Sequence, residues 1–294
     1  MRIGTRSSPL ALAQAKLIAQ MLGTGELVPM TTAGDRGQSS ADKSRWVLEL
    51  EQSLRAGEID LAVHSAKDVP GELADGLELL GSPRRARPED VLCGAGTLAD
   101  LQSGARVGTS SLRRAAQLRS IREDLEVTSV TGNVDTRLRK LHEGAVDALV
   151  LAGAGLERLG RGEEIDAVLE ADRFVPSPGQ GTLALEGRAD DEATRAAVQA
   201  ITDSETFACL LAERSLARSL QASCHTPLGA HARMLDGARL QLRAWVGLPD
   251  GSHWIADELE GAASDPRSLA AALCERLRAA GACELLAEAE EMAV

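Results

Sequence analysis

The sequence predicts an α/β protein built from two similar hinged lobes and a small α+β domain at the C-terminus. Its 294 residues are more than one ordinary hydrophobic core organises, which favours two or three domains. Short apolar strands alternate with helical patterns up to about residue 200, as in parallel sheets covered on both faces. From about Asp203 the pattern changes to a helix, a loop, and alternating strands and helices.

Two pairs of segments indicate that the lobes share one plan. RIGTRSSPLALAQAKL at 2–17 and RVGTSSLRRAAQLRS at 106–120 each contain a short strand, Gly-Thr, neighbouring serines and a helical pattern. GEIDLAVHSAKD at 57–68 is matched by GAVDALVLAGAG at 144–155, again with Gly, Asp and an apolar strand. A chance match between generic strand-to-helix units is the alternative interpretation.

Two proline-rich segments are predicted to cross between the lobes, SPRRARPED at 82–90 (the first crossing) and VPSPGQG at 175–181 (the second crossing). TLALEGR, directly after the second crossing, is predicted to be a strand that returns to the first lobe. Proteins with two crossings hinge and commonly bind ligands between their lobes, as periplasmic binding proteins do, and this fold is expected to be similar. The predicted domains are residues 1–84 with 182–201, residues 88–175, and residues 203–294.

In the C-terminal domain, RLQLRAWVGLPDGSHWIADELEG is predicted to form two antiparallel strands around a Pro-Asp-Gly turn.

Composition limits the partners that the chain is expected to have. A net charge of -12 and 2% aromatic residues argue against nucleic acid, which favours basic faces and stacking rings. No stretch approaches the ~18 apolar residues of a membrane span, and the first ten residues lack the apolar core of a signal peptide. Five scattered cysteines without a CxxC pair favour a reducing cytosol. We therefore expect a cytoplasmic protein with a small-molecule partner.

One basic stretch suggests an anion site. Arg113 and Arg114 directly follow GTSSL at a predicted helix start, where free N–H groups and the helix dipole already favour anions. Two guanidiniums there predict a carboxylate or phosphate cradle, and a solvated basic face is the alternative. Arg6 occupies a comparable place in the first lobe, and Arg137 follows the turn signal GNVDT. Between Gly104 and Arg122 there are five arginines and no carboxylate: Arg106, Arg113, Arg114, Arg119 and Arg122.

HSAKDVP at 64–70 ends an apolar strand, the place where ligand-binding groups gather in α/β lobes. Lys67 beside Asp68 is consistent with an anion-binding cation next to a proton-handling carboxylate, and equally with a surface ion pair.

Cys224 lies in a predicted loop, QASCHTPLGAHA, with His225 and His231 nearby. A zinc site is disfavoured because a fourth ligand and a recognisable spacing are missing. A Cys-His hydrolase is disfavoured because a neighbour in sequence rarely points toward the thiol. Composition alone does not assign this cysteine a role.

Seven motifs, in order along nearly the whole chain, resemble the porphobilinogen deaminase (hydroxymethylbilane synthase) family. The motifs are IGTRSSPLALAQA, HSAKDVP, GTSSLRRAAQL, GNVDTRL, AGLERLG, PGQGTLALE and SCHTPLGAHA. The resemblance implies a transferase of tetrapyrrole biosynthesis. Such an enzyme condenses four porphobilinogen units head to tail with loss of ammonia, and water then releases hydroxymethylbilane. It uses neither metal nor nucleotide.

The resemblance also implies a role for individual residues. Cys224 is expected to carry a dipyrromethane cofactor through a thioether, assembled from the enzyme's own substrate, and Asp68 matches the catalytic aspartate. Each pyrrole carries two carboxylates, which explains the many cations. The remaining cofactor-binding residues are expected to be Lys67, Thr109, Ser111, Arg113, Arg114 and Asn133. The expected substrate-binding residues are Arg6, Ser8, Arg137, Arg158 and Gln180.

Two departures from the family pattern concern charge. Thr131 stands where the family usually has the arginine of Arg-Gly-Asn, and Leu48 replaces a lysine. They affect the expected rate and substrate binding more than the reaction. A non-catalytic two-lobed binder of small carboxylated ligands is the alternative function, although such a binder has no use for Cys224. A monomer is expected, because the site lies between lobes of one chain.

Overall fold

The computed structural model of the chain describes residues 1–31, 45–222 and 226–292, which form three sheets and the helices that pack on them. The strands are β1 (Arg2–Arg6), β2 (Glu26–Met30), β3 (Leu61–Ser65), β4 (Leu77–Gly81), β5 (Asp90–Cys93), β6 (Arg106–Gly108), β7 (Glu126–Thr128), β8 (Ala148–Ala152), β9 (Ala167–Leu169), β10 (Leu183–Arg188), β11 (Leu228–Asp236), β12 (Arg239–Gly247) and β13 (Trp254–Ala262). The helices are α1 (Pro9–Leu22), α2 (Arg45–Arg55), α3 (Leu112–Ile121), α4 (Val134–His142), α5 (Gly153–Arg158), α6 (Glu192–Gln199), α7 (Ser204–Ser219), α8 (Pro266–Ala279) and α9 (Ala282–Met292). In the described residues, 3-10 turns cover Ala66–Asp68 and Gly162–Glu164.

The first two sheets have the same strand order, which confirms the predicted pair of similar α/β lobes. The first sheet runs β2-β1-β3-β10-β4, and the second runs β7-β6-β8-β5-β9. In each sheet a first strand lies between the second and the third, and pairs with both in parallel. The repeat found in the sequence is therefore a repeat of topology.

The prediction of parallel sheets is wrong for one strand in each lobe. Strand β10 is antiparallel to β3 and β4, and β5 is antiparallel to β8 and β9. Each of these strands adjoins a crossing and enters its sheet from the other lobe. It therefore does not follow the strand–helix–strand connection that keeps neighbouring strands parallel. As predicted, TLALEGR returns to the first sheet as β10.

Local capping sets where the helices begin. Ser8 caps α1, with Pro9 at the first helical position, and Ser111 and Asn133 cap α3 and α4. In each case a side-chain oxygen accepts a backbone N–H of the first turn, which otherwise has no partner. Asp residues cap the later helices in the same way, at Asp191, Asp203 and Asp265.

The second crossing packs against the first crossing and against the turn that carries Asp68. Gly181 has φ +82, and a Cβ there would lie 2.5 Å from the carbonyl oxygen of Ala86. Gly179 has φ +74, and its Cβ would lie 2.9 Å from the backbone of Ala66. Both positions combine a left-handed backbone with a close approach, so only glycine fits without strain. The PGQG motif therefore fixes the contact between the crossings.

The third sheet, β11-β12-β13, is antiparallel and carries α7, α8 and α9, in agreement with the predicted α+β unit. Strands β12 and β13 form the predicted hairpin, with Arg239 opposite Ala262 and Gly247 opposite Trp254. Glu213 of α7, fully buried, joins this unit to both crossings. Its carboxylate accepts hydrogen bonds from Arg85 Nη1 at 2.6 Å and from the backbone N–H groups of Gly179 and Ala232 at 2.6 and 2.7 Å.

Within the described ranges, no helix combines the length and the apolar character that crossing a bilayer requires.

Candidate functional site

A cleft at the carboxyl end of β3 brings together Arg6, Ser8, His64 and Asp68. Arg6 ends β1, and Ser8 Oγ accepts the N–H of Ala11 at 3.3 Å as the cap of α1. The parallel pairing of β1 and β3 places both strand ends at the same edge of the first sheet. Residues 62 positions apart in sequence therefore share one wall of the cleft.

The segment that carries Lys67 and Asp68 is held at the start of its 3-10 turn. Ser65 Oγ accepts a hydrogen bond from Gln14 Nε2 at 2.8 Å, and the Ala66 N–H donates to the carbonyl oxygen of Thr182 at 3.0 Å. These contacts come from α1 and from the end of the second crossing. They fix the backbone at the start of this turn relative to the cleft.

Arg113 and Arg114 are buried around one carboxylate, Asp90. Arg113 Nη1 lies 2.8 Å from Asp90 Oδ2, and Arg114 Nη2 lies 2.8 Å from Asp90 Oδ1. Burial raises the pKa of Asp90, but the two guanidiniums and Gln180 outweigh it and hold that pKa at about 2. The solvated-face interpretation of the pair is wrong, because the two side chains are 5% and 7% exposed. The Asp90–Arg113–Arg114 cluster has a fixed net charge of +1.

Gln180, in the second crossing, links the Lys67 side of the site to this cluster. Its Oε1 accepts from Lys67 Nζ at 3.4 Å and from Arg114 Nη2 at 3.5 Å. Its Nε2 donates to Asp90 Oδ1 at 2.9 Å and to the carbonyl oxygen of Pro88 at 2.7 Å. One buried amide therefore connects residues of both sheets through both crossings.

Arg137 and Arg158 are partly buried cations, and neither forms an ion pair with any carboxylate in the described part of the chain. Arg137 Nε donates to the carbonyl oxygen of Gly132 at 2.8 Å, and Arg158 Nη2 donates to that of Gly181 at 2.7 Å. Burial lowers the pKa of both, helped by Arg114 for Arg137, and the pKa of Arg158 falls to about 10. Such guanidiniums are suited to a carboxylated ligand.

The remaining predicted residues lie at the ends of strands and helices of the second lobe. Thr109 follows β6 and accepts the N–H of Ser111 at 3.2 Å. Ser111 caps α3, and Asn133 Oδ1 accepts the N–H of Thr136 at 2.9 Å as the cap of α4. The amide nitrogen of Asn133 and the first-turn N–H groups remain as donors toward an anion.

Other sequence candidates lie outside this arrangement. Cys224 and His225 lie outside the described residues. Arg119 Nη1 donates to the carbonyl oxygen of Pro249 at 2.6 Å, so it holds the third sheet, and Arg122 forms an ion pair with Asp124 at 2.7 Å. His231 lies on β11, where burial lowers its pKa to about 3, with help from Arg85, Arg233 and Arg243.

A separate depression contains none of the predicted residues. It is lined by His142 and several carboxylates, including Glu163, Glu164 and Asp166. That charge is unfavourable for a carboxylated ligand.

Sequence reasoning missed Asp90, Gln14 and the Arg85–Glu213 pair. Asp90 is separated from Arg113 by a complete strand and a loop, so no local pattern joins them. Gln14 lies within an ordinary helical pattern. For Asp90, the one signal in the sequence was its place directly before the apolar run VLC, a position that is fully buried in the structure.

Comparison with known proteins agrees with the resemblance along the whole chain. The family model described as "Porphobilinogen deaminase, dipyromethane cofactor binding domain" matches residues 1–196, and "Porphobilinogen deaminase, C-terminal domain" matches residues 207–279. A protein of Roseiflexus sp. (strain RS-1) named porphobilinogen deaminase is 44% identical, over 97% of this chain and 98% of its own length. Another of that name from Thiobacillus denitrificans is 45% identical, over 97% of both chains.

Among solved structures, the methionine-binding protein MetQ is similar to 70% of this chain and 91% of its own, with a TM-score of 0.45 and 15% identity. The two family models together cover most of the described fold and all the residues grouped around the crossings. With relatives above 40% identity over nearly the full length, the chain belongs to the porphobilinogen deaminase family.

Proposed function

We propose that this enzyme condenses four porphobilinogen units head to tail, with loss of ammonia, on a dipyrromethane held by Cys224, and then releases hydroxymethylbilane by hydrolysis. The observation that carries this proposal is the group of buried cations around the second crossing, together with a carboxylate, Asp68, at the end of β3. A growing chain of pyrroles accumulates acetate and propionate groups, and each needs a cationic partner. Membership of the family disfavours the non-catalytic binder.

The residues of the second lobe fit a carboxylated dipyrromethane. Arg137 and Arg158 have no described ion-pair partner, and the Asp90–Arg113–Arg114 cluster keeps a net positive charge. Thr109, Ser111 and Asn133 add polar donors at helix N-termini. The residues that would hold the cofactor are Lys67, Thr109, Ser111, Arg113, Arg114 and Asn133. When bound, the cofactor supplies the pyrrole carbon that attacks the incoming unit.

The residues of the first lobe suit the incoming substrate. Arg6 and Ser8 lie in the cleft with Asp68 and offer a guanidinium and a hydroxyl to a carboxylate. As ammonia leaves porphobilinogen, positive charge develops on the ring and its methylene carbon. A fixed carboxylate stabilises that charge, and Asp68 is the group that we assign to it and to proton transfer at the departing amine. Arg137, Arg158 and Gln180 would serve later substrate units.

The chemistry of the other cysteines supports Cys224 as the attachment point. Cys93, Cys209 and Cys274 are buried, and burial raises the pKa of Cys93 and Cys209 to about 12. Thiols of this kind remain protonated and react poorly, since the thiolate is the nucleophile. Cys283 is exposed on α9 and therefore provides a control.

Intact mass before and after one substitution tests the attachment. The wild-type chain is expected to be heavier than its sequence by two pyrrole units, and Cys224→Ser is expected to lose both that mass and all product formation. Cys283→Ser is the matched control and is expected to keep both. Extra mass that persists in Cys224→Ser, or disappears in Cys283→Ser, would contradict the assignment.

We also propose the predicted domain limits, a cytoplasmic location and a monomeric state for the enzyme. Sedimentation of the cofactor-loaded protein tests the last, with a single species of one chain expected, 30.9 kDa plus the cofactor. A concentration-dependent dimer would contradict it.

A further inference from the structure

A fully buried carboxylate, Glu186, lies in the first sheet and has no part in the proposed chemistry. It sits on β10, and its Oε2 is 2.9 Å from His64 Nε2, with the two side chains 0% and 5% exposed. Apart from this ion-pair contact, neither oxygen of Glu186 accepts a hydrogen bond within the described part of the chain. A buried carboxylate is unfavourable unless nearby cations compensate for the lost water.

Arg214, on α7, is a partly buried cation that binds the backbone after Asp68. Burial lowers the pKa of Arg214, and the charge of Glu186 acts in the opposite direction. The guanidinium of Arg214 donates to the carbonyl oxygens of Val69, Pro70 and Gly71 at 3.2, 2.7 and 3.3 Å. These are the three residues that directly follow Asp68.

Glu51, on α2, adds a second carboxylate to the same region. Burial raises the pKa of Glu51, and the nearby Glu186 charge raises it further, whereas a hydrogen bond from the Ala74 N–H at 3.2 Å and the charge of His64 oppose the shift. Glu186 therefore contacts His64 on β3 directly, and its charge acts on Glu51 of α2 and Arg214 of α7.

We propose that Glu186 is a positioning residue for Asp68, acting mainly through His64, its contact partner at the start of the Asp68 segment. His64 lies four residues before Asp68 and lines its cleft, and Arg214 holds the three carbonyl groups after it. One carboxylate thus contacts the side chain at the start of residues 64–71, and its charge also acts on Arg214 at their end. The inference rests on the proposed function, because it assigns Asp68 a role in the reaction.

Glu186→Gln tests the proposal by removing the charge while keeping the size of the side chain. Glu78→Gln is the matched control, because Glu78 is a carboxylate on β4 of the same sheet and pairs with Arg195 at the surface. Hydrogen exchange of the peptide covering residues 61–73 is measured first, since it needs no substrate. We expect Glu186→Gln to speed exchange at residues 66–71 by roughly 10-fold and Glu78→Gln to leave it unchanged.

The same variants are then assayed with cofactor content confirmed by mass. Glu186→Gln is expected to lower kcat by roughly 10- to 100-fold, with KM within about 3-fold of wild type, because a misplaced catalytic group costs rate more than binding. Normal exchange in Glu186→Gln overturns the proposal, whether or not kcat falls. Faster exchange with a normal kcat also overturns it.

A double variant guards against poor folding of Glu186→Gln. His64→Gln with Glu186→Gln replaces the buried His64–Glu186 contact by two amides that can hydrogen-bond to each other, and it removes the Glu186 charge that acts on Arg214. The same faster exchange and lower kcat are expected, and wild-type values for both would overturn the proposal. If the wild-type enzyme makes no product, the proposed function is contradicted. The effect of Glu186 on the Asp68 segment is still tested by hydrogen exchange, because that measurement does not depend on turnover.

Discussion

The two strand-to-helix units, β1 with α1 and β6 with α3, share a backbone plan but differ in the environment of their arginines. In the first unit Arg6 ends the strand and lines a cleft that also contains Asp68. In the second unit Arg113 and Arg114 lie inside the helix and are closed around Asp90. Both helices begin with a serine cap. The difference is that the first unit places its arginine in a cleft, whereas the second buries its two arginines against a carboxylate.

The two units therefore suit different roles, a pre-formed positive charge in the second and direct contact with a ligand in the first. A cluster closed by a buried carboxylate provides a charge that is fixed before any ligand arrives, which lowers the cost of reorganisation. A cleft with cation and carboxylate side by side provides groups that contact a ligand directly. We therefore expect changes in the second unit to act on stability, and changes in the first unit to act on rate.

Asp90→Asn should give the largest effect. It leaves two buried guanidiniums without their carboxylate, and removing one partner of such an ion pair typically costs about 3–5 kcal/mol of unfolding free energy. Denaturant unfolding measures this loss. Asp124→Asn is the control, because its pKa is also about 2 but its ion pair with Arg122 lies at the surface, so a much smaller change is expected. Equal losses in both variants would contradict the comparison.

The same carboxylate predicts how stability depends on pH. The pKa of Asp90 is about 2 in the folded protein, below the value of about 3.9 for an unfolded chain. Its contribution is therefore complete above pH ~4 and is lost as pH falls toward 2. Wild type is expected to lose more stability over this window than Asp90→Asn does, as measured by unfolding at each pH. Parallel curves for the two proteins would show that Asp90 does not titrate in this way.

Asp68→Asn should act on rate and leave the fold intact. The amide keeps the shape but loses the charge and the ability to exchange a proton, so kcat is expected to fall ~10²–10³-fold, more than substrate binding does. Because cofactor assembly uses the same condensation, the variant is first loaded with hydroxymethylbilane and its cofactor confirmed by mass. Near-normal elongation by the loaded variant would remove Asp68 from the chemistry.

Arg137→Gln should give an intermediate effect, since it removes one partly buried cation that has no described ion pair. A charge-assisted hydrogen bond contributes ~1.5–3 kcal/mol, so kcat/KM is expected to fall roughly 10- to 100-fold. Arg139→Gln is the control on the same helix, because Arg139 is exposed and paired with Glu143 at 3.1 Å. A loss of similar size in the control would indicate a general effect of charge.

Thr131→Arg should give the smallest effect and is a gain. It restores the family's arginine at an exposed position, and KM for porphobilinogen is expected to fall about 3- to 10-fold in steady-state assays. Thr131→Gln adds length without charge and should leave KM unchanged. An unchanged KM in Thr131→Arg would indicate that Lys140, whose Nζ donates to the Thr131 carbonyl oxygen at 3.3 Å, already supplies the charge.

The sequence was sufficient to predict most of the fold, because its signals are local. Serine and asparagine caps, apolar strands and the two proline-rich crossings predicted the helices, the repeated plan and the return of β10. The antiparallel direction of β5 and β10 was not predicted. The direction of a strand depends on the side from which the chain enters the sheet after a crossing. The sequence of the strand has the same apolar pattern in a parallel and in an antiparallel arrangement.

The site was predicted in part for a similar reason. Arg6, Ser8 and Asp68 meet because they follow strands that end at one edge of the sheet. The buried ion pairs of Arg113 and Arg114 with Asp90 were missed, because Asp90 lies on a distant strand and belongs to no recognised motif. His64 and Glu186 are separated by most of the chain, so their contact also became visible only in three dimensions.

The single carboxylate of Glu213 restricts where the chain tolerates added length. It accepts a side-chain donor from the first crossing and backbone N–H groups from Gly179 and β11. One residue inserted into either crossing would move a donor by more than a hydrogen-bond length and leave a charge buried without it. The turn between β11 and β12, where a Cβ on Gly237 would meet nothing, has no such restriction. Tags, insertions and new termini are therefore best placed at that turn.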